Sequence, residues 1–154
     1  MTRSFLILAL MALGTAAPAQ EFAAKVDVKA VNACFAGTAS FETSPPCVGA
    51  QAEICMGAPG GTTTQGIVAC ASAETAAWDA ILNTQYQARM SAAAPNVKTA
   101  LRTAQRAWIV YRDAECALQY EKYAEGTIRS TYYAACMQAE ISERAFELRD
   151  FERL

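Results

Sequence analysis

Histidine is absent from this 154-residue sequence, and its absence argues against two kinds of function. Histidine is the most frequent general acid or base in enzymes, and it accompanies cysteine in many zinc sites. The sequence also lacks a Cys-x-x-Cys pair, the common beginning of a zinc-binding framework. We therefore expect no catalytic residue, no metal site and no cofactor.

The sequence also lacks an excess of basic residues. It contains 13 Lys and Arg and 15 Asp and Glu, so its formal net charge is −2. A protein that binds nucleic acid needs a basic face to contact the phosphates. The charge balance therefore argues against a nucleic-acid partner, and it only mildly favours a basic protein partner.

A membrane-spanning segment is not expected, because the apolar run at 5–13 is shorter than the roughly 20 residues that cross a bilayer. This run follows Arg3 and precedes Ala17-Pro18-Ala19, an arrangement typical of a secretory signal. We expect a signal peptide at 1–19 that is cleaved after Ala19. The first cysteine is Cys34, so the lipid-anchored cysteine of a bacterial lipoprotein is missing. The expected location is the periplasm or the extracellular space, without a membrane anchor.

Six cysteines follow that signal, and an even number in an oxidising compartment predicts three disulfides. Their connectivity is largely open, because six cysteines can pair in about fifteen ways. The cysteines are Cys34, Cys47, Cys55, Cys70, Cys116 and Cys136.

The segment 20–66 differs from the rest, since it holds three of the cysteines and most of the glycine- and proline-rich sequence. Short helices are predicted at 26–36 and 48–56, with loops elsewhere. Because little of this segment is apolar, we expect a cysteine-rich N-terminal extension that packs on the following domain and is linked to it by a disulfide.

From about residue 67 onward, apolar residues recur every three or four positions, the spacing of amphipathic helices. The predicted helices lie at 67–90, 95–123 and 130–152. Pro95 suits a first helical turn, and Gly126 suits a helix stop. Long helices joined by short loops pack as antiparallel neighbours. The predicted fold is therefore all-α: an antiparallel three-helix bundle over 67–154, stabilised by disulfides.

A hairpin of the last two helices, centred on Gly126, would bring residues at equal distances from the turn face to face. Cys116 then faces Cys136, and this is the disulfide that we predict. Cys70 lies at nearly the same level and is a rival partner. The same arithmetic places Arg144 beside Trp108.

Several polar residues fall on or beside the apolar stripe of these helices, where an unpaired polar group costs about 1–3 kcal/mol. A hairpin of the first two long helices would pair Asn83 with Gln105. Arg112 would be neutralised by Glu74, by Glu140 or by both. We therefore predict that these five residues form a structural polar network that sets the register of the helices.

The pattern around these residues resembles a known family. It reads Cys70-Ala71, then Trp78-Asp79-x-x-Leu82-Asn83-x-x-Tyr86, then Leu101-x-x-x-Gln105-Arg106-x-Trp108-x-x-x-Arg112-Asp113-x-x-Cys116, and later Cys136 and Arg144-Ala145-x-x-Leu148. This order looks like the lysozyme inhibitor LprI-like domain, formerly a domain of unknown function, over about 67–152. The resemblance implies an exported, non-enzymatic protein that inhibits lysozyme-type muramidases.

Two loops are candidates for entering the active-site cleft of such an enzyme, which carries two acidic residues. The first is the flexible, polar segment 57–65. The second is 124–130, where Arg129 and the nearby Lys122 offer positive charge for pairing with those carboxylates. The partner would then be a protein, with lysozyme as the candidate. The alternative function is a generic periplasmic structural or protein-interaction module with a different target.

Overall fold

The computed structural model describes residues 22–123 and 125–151, and every regular element within these ranges is helical. The helices are α1 Val28–Gly37, α2 Ala50–Met56, α3 Thr64–Ala92, α4 Pro95–Lys122 and α5 Ile128–Asp150. The all-α fold class is thereby confirmed. In the described part of the chain, none of these helices combines the length and the apolar character needed to cross a membrane. The predicted signal peptide at 1–19 lies outside the described residues.

Local capping chemistry explains where the long helices begin and end. α3 starts earlier than predicted because the side chain of Thr63 accepts a 3.0 Å hydrogen bond from the Gly66 amide in the first turn. Pro95 occupies the first turn of α4, as predicted. Gly126 has a φ of 115° in the turn that follows α4, a value that residues with a side chain rarely adopt.

The last helix, α5, lies between the other two long helices and packs on both of them. α3 and α5 run parallel. Thr64, the first residue of α3, contacts Thr127 immediately before α5, and Arg89 near the end of α3 donates to the Leu148 carbonyl near the end of α5. α4 runs antiparallel to α5, since Cys116 and Gln105 contact Cys136 and Arg144 respectively. The three long helices therefore form an up-down-up bundle.

The expected close pairing of α3 with α4 is wrong. Among residues 22–123, the backbones of these two helices scarcely approach each other, although only Ala93 and Ala94 separate them. Both linking residues have extended backbones, with ψ of 151° and 158°, so the chain leaves α3 without forming a tight hairpin. α3 instead packs its apolar face on α5, and register arithmetic between α3 and α4 does not apply.

The core is centred on three aromatic rings from three helices. The ring centroids of Trp78 and Phe146 are 5.5 Å apart, and those of Phe35 and Phe146 are 5.2 Å apart. Buried aliphatic residues surround these rings. They are Val31, Ile81, Leu82, Leu101, Ile141 and Leu148. Since Val31 and Phe35 belong to α1, the extension supplies part of the core and packs on the bundle as expected.

Each of the three disulfides joins a different pair of segments. Cys34–Cys47 closes a loop within the extension, Cys55–Cys70 joins α2 to α3, and Cys116–Cys136 joins α4 to α5. The Cα atoms of Cys116 and Cys136 are 5.5 Å apart, inside the range that a disulfide allows. The expected Cys116–Cys136 pairing is thus present, and the rival Cys70 is bonded to Cys55 instead.

Candidate interaction site

The buried carboxylate of Glu74 joins the extension to the bundle and does not contact Arg112. One oxygen accepts hydrogen bonds from the Gly49 amide at 2.8 Å and the Trp78 indole N–H at 3.0 Å. The other oxygen accepts from the Ala52 amide at 2.7 Å. Because these donors already satisfy a side chain with no exposed surface, the expected Glu74–Arg112 ion pair is wrong. The physical reason is that α2 lies over this part of α3.

Two further members of the predicted network also have different partners. Asn83 is exposed and donates to the carboxylate and the carbonyl of Asp79, one turn earlier on α3, both at 2.9 Å. The expected Asn83–Gln105 contact is wrong because α3 and α4 diverge. Arg112 donates to the neighbouring Asp113 at 2.9 and 2.7 Å. The ion-pair partner of Arg112 is therefore a carboxylate of its own helix, α4.

Glu140 lies close enough to Arg112 for an electrostatic effect, without an ion pair between them in the described structure. Burial raises the pKa of Glu140, and the nearby carboxylates of Glu143, Glu115 and Glu147 raise it further. The positive charge of Arg112 opposes this shift. The expected proximity of the two residues is present, but repulsion and burial outweigh the attraction.

Gln105 and Trp108 of α4 meet Arg144 of α5, as the hairpin of these helices requires. The Nε atom of Arg144 donates a 3.0 Å hydrogen bond to the side-chain oxygen (Oε1) of the buried Gln105. The guanidinium carbons of Arg144 and Arg112 lie 5.7 and 5.1 Å from the centre of the Trp108 ring. Gln105, Trp108 and Arg144 therefore hold α4 on α5, which is a structural role.

The two candidate loops from the sequence lie at the same end of the bundle. The Thr64 and Thr127 hydroxyl oxygens are 3.2 Å apart, so the end of segment 57–65 touches the turn between α4 and α5. This contact follows from the parallel directions of α3 and α5. The loops that the sequence offered as separate candidates thus form one surface, which we call the bundle end: 57–65, 120–123 and 125–133.

Four tyrosines are grouped at the bundle end. The rings of Tyr123 and Tyr132 are stacked with centroids 4.1 Å apart, and those of Tyr120 and Tyr133 meet edge to face at 6.1 Å. Tyr132 and Tyr133 are 41% and 38% exposed. Exposed tyrosines with fixed neighbours are among the residues that dominate protein interfaces, since they bury a large area and lose little conformational entropy.

Sequence reasoning missed this tyrosine cluster. A signal was present, because the register that pairs Cys116 with Cys136 also brings Tyr120 opposite Tyr132, within one residue of the observed contact between Tyr120 and Tyr133. The four tyrosines are spread over two helices and the turn, so no spacing within one helix marks them as a group.

Lys122 and Arg129 both lie over tyrosine rings of this cluster. The Lys122 ammonium nitrogen is 5.5 Å from the Tyr123 ring centre, and the Arg129 guanidinium carbon is 4.6 Å from the Tyr120 ring centre. Both distances are within the range of cation–π attraction. The structure therefore places each of the two predicted basic residues against a ring of the tyrosine cluster.

A cleft of about 520 Å³ opens beside Arg129, between the start of α3 and the α4–α5 turn. Its lining includes Thr64, Gln65, Val68, Tyr120 and Arg129. This volume lies within the roughly 300–1,000 Å³ of typical small-molecule sites. In the described ranges, no three His, Cys, Asp or Glu side chains are grouped as a metal site.

The structure defines a class of protein: a disulfide-linked helical bundle that presents basic and aromatic side chains together at one end. The family model described as lysozyme inhibitor LprI matches residues 55–148, more than half of the chain, and the protein belongs to this family. The family is one of inhibitors and not of enzymes. No match was found among curated proteins or among solved structures.

Proposed function

We propose that the protein is exported to the periplasm or the extracellular space and inhibits a lysozyme-type muramidase by covering its active-site cleft with the bundle end. The family membership supports inhibition, and three disulfides support an oxidising compartment. The bundle end is chosen as the inhibiting surface because Lys122 and Arg129 lie there in a cluster that includes exposed tyrosines.

The chemistry of the bundle end is complementary to a muramidase active site. Such a site uses a pair of carboxylic side chains on either side of the scissile bond. Lys122 and Arg129 supply positive charge, and an arginine can bind a carboxylate through two parallel hydrogen bonds. Tyr132 and Tyr133 add apolar area around these charges. Binding would prevent access of the glycan to the enzyme without any chemical step.

Inhibition of lysis measures this function directly. A suspension of bacterial cell walls is mixed with lysozyme and increasing amounts of the protein, and turbidity is followed with time. We expect inhibition at micromolar concentrations, and we expect Lys122→Ala/Arg129→Ala to weaken it about tenfold or more, as for interface hot spots.

A matched control removes the same charge elsewhere on α4. Arg102 and Arg106 are exposed, and Arg106 lies about 24 Å along the helix from Lys122 at 1.5 Å per residue. Arg102→Ala/Arg106→Ala should inhibit like the wild type. Equal losses in the two variants would contradict the proposed surface, and the absence of inhibition by the wild type would contradict the function.

The alternative is an envelope protein-interaction module with a different target. It is favoured by the outer face of α4, where Val110 and Leu118 are 69% and 60% exposed and Tyr111 is also exposed. Such a module would leave lysis unchanged in the same assay.

A further inference from the structure

The outward face of α4 is apolar around its middle and rimmed by charges. α4 is about 42 Å long at 1.5 Å per residue, and among the described helices only α5 packs extensively on it. On the surface that α5 leaves open, Val110, Tyr111 and Leu118 are 69%, 55% and 60% exposed. Val110 and Leu118 lie in one row with the exposed Ala114, since these residues are four positions apart. An exposed apolar patch with a polar rim is typical of an interaction surface.

The charges of α4 are sorted by sign along the helix. Residues 95–112 include four basic residues and no acidic one, whereas 113–121 include three acidic residues and no basic one. The helix dipole favours the opposite order, with acidic residues near the beginning and basic residues near the end. Only Lys122, in the last turn, follows that preference. The stability of α4 itself therefore does not explain this order of charges.

A second copy of α4 that runs in the opposite direction is complementary to this order. In a two-fold symmetric pair with its axis near Val110, residues at equal sequence distances before and after the axis face each other. Arg106 of each copy then lies opposite Asp113 of the other, to within one residue. Arg102 lies within one helical turn of Glu121 of the other copy. The two halves of one surface are thus matched in charge to each other.

The charged side chains in this match can make such contacts. Arg102 and Arg106 are exposed, and neither forms an ion pair within the described ranges. Glu121 is exposed as well. Asp113 accepts both hydrogen bonds from Arg112 through its Oδ1 atom, and its side chain is 57% exposed. Because a carboxylate has two accepting oxygens, Asp113 can also accept from a second arginine.

We propose that the protein forms a two-fold symmetric dimer through the outward face of α4, with the two α4 helices antiparallel. The two Val110 side chains meet near the axis, and Leu118 lies level with the small side chains of Ala100 and Ala104 of the other copy. One pair of helices buries an area at the low end of specific interfaces. We therefore expect a dissociation constant of about 10–100 µM.

Sedimentation equilibrium of the full mature protein tests the dimer. The average mass should rise from that of one chain to that of two as the concentration passes through the expected dissociation constant. Val110→Glu brings two carboxylates together near the axis and should weaken the dimer at least about tenfold. Ile54→Glu is the matched control, because Ile54 is 68% exposed on α2, and it should dimerise like the wild type. Circular dichroism checks that both variants are folded.

An exchange of charges tests the antiparallel register. Arg106→Glu alone makes both members of each contact acidic, and Asp113→Lys alone makes both members basic. Each variant should therefore dimerise at least about tenfold more weakly than the wild type. In an equimolar mixture of the two variants, every contact again joins opposite charges. We expect dimers of one chain of each kind to form in that mixture.

The proposal is overturned if the wild type stays monomeric at concentrations well above the expected dissociation constant, or if Val110→Glu and Ile54→Glu dimerise equally. It is also overturned if the mixture of charge variants dimerises no better than each variant alone. A monomeric wild type that binds a different protein through this face would likewise contradict it. No muramidase is present in these measurements, and the dimer is largely dissociated at the low micromolar concentrations of the lysis assay. The two proposals therefore fail separately.

Discussion

The fully buried carboxylate of Glu74 accepts a 2.7 Å hydrogen bond from the amide of Ala52, and this bond fixes the short helix α2 on α3. The Cys55–Cys70 disulfide joins the same two helices. A covalent bond and a charge-assisted hydrogen bond therefore hold the cysteine-rich extension on the bundle, next to the segment 57–65 of the bundle end.

Replacement of Glu74 should destabilise the protein strongly. In Glu74→Gln, one oxygen of the carboxylate becomes an NH2 group that donates. It then faces either the Ala52 amide, or the Gly49 amide and the Trp78 indole N–H, all of which are donors too. We expect the free energy of unfolding to fall by about 1–3 kcal/mol, the cost of buried groups left unpaired. Urea unfolding measures it. Glu53→Gln, at an exposed position of α2, serves as the control, and equal stability of the two variants would refute the role of the carboxylate.

Loss of the Cys116–Cys136 disulfide should lower the melting temperature. The bond closes a loop with a sequence separation of 20 residues between α4 and α5. Removing such a bond costs about 2–4 kcal/mol, chiefly because the unfolded chain gains conformational freedom. Cys116→Ala/Cys136→Ala is compared with the wild type by thermal unfolding under oxidising conditions. An unchanged melting temperature would show that this bond does not stabilise the α4–α5 pair.

Gln105 and Arg144 should be energetically coupled. The buried Gln105 oxygen accepts from Arg144 at 3.0 Å, so loss of the arginine leaves it unpaired. A double-mutant cycle with Gln105→Met and Arg144→Met should give a coupling free energy of about 0.5–3 kcal/mol.

The matched cycle pairs Arg144→Met with Glu147→Gln. The ion pair of these residues involves an exposed carboxylate, and it should couple by less than about 1 kcal/mol. A larger coupling for Arg144 with Glu147 than with Gln105 would contradict the importance of the buried hydrogen bond.

Glu140 should make stability depend on pH. Its pKa in the folded protein is raised above 4.5 because of burial and the carboxylates of Glu143, Glu115 and Glu147. The folded state therefore binds this proton more tightly than the unfolded state, so the stabilising contribution of the neutral carboxyl is present below pH 4.5. It is lost as the pH rises through the raised value.

Glu140→Gln should accordingly be more stable than the wild type at pH 7, and the difference should disappear below the ordinary glutamate pKa of 4.5. Urea unfolding over a series of pH values measures this difference. Glu42→Gln, at an exposed position in a loop, is the control for charge removal. A Glu140→Gln variant less stable than the wild type at pH 7 would mean that attraction to Arg112 is the stronger effect.

The helices and the α4–α5 register were predictable from sequence because both depend on local signals. Apolar spacing, Pro95 and Gly126 locate α4 and its end to within a residue or two. In two antiparallel helices joined by a short turn, residues at equal sequence distances from the turn face each other. This register pairs Cys116 with Cys136 and brings Arg144 to Trp108.

The partners of Glu74 and the position of α3 depended on the tertiary structure. Every sequence contains backbone amides, so nothing in the residue pattern shows that those of Gly49 and Ala52 reach this carboxylate. The choice of α5 over α4 as the neighbour of α3 follows from packing of Trp78 on Phe146, a contact 68 positions apart that only the assembled core determines. The two reversals of the chain, at 93–94 and at the α4–α5 turn, make α3 and α5 parallel, and this direction brings the two candidate loops together at one end. Local chemistry therefore determined the helices and one hairpin, whereas long-range burial of aromatic side chains decided which helix α3 packs on.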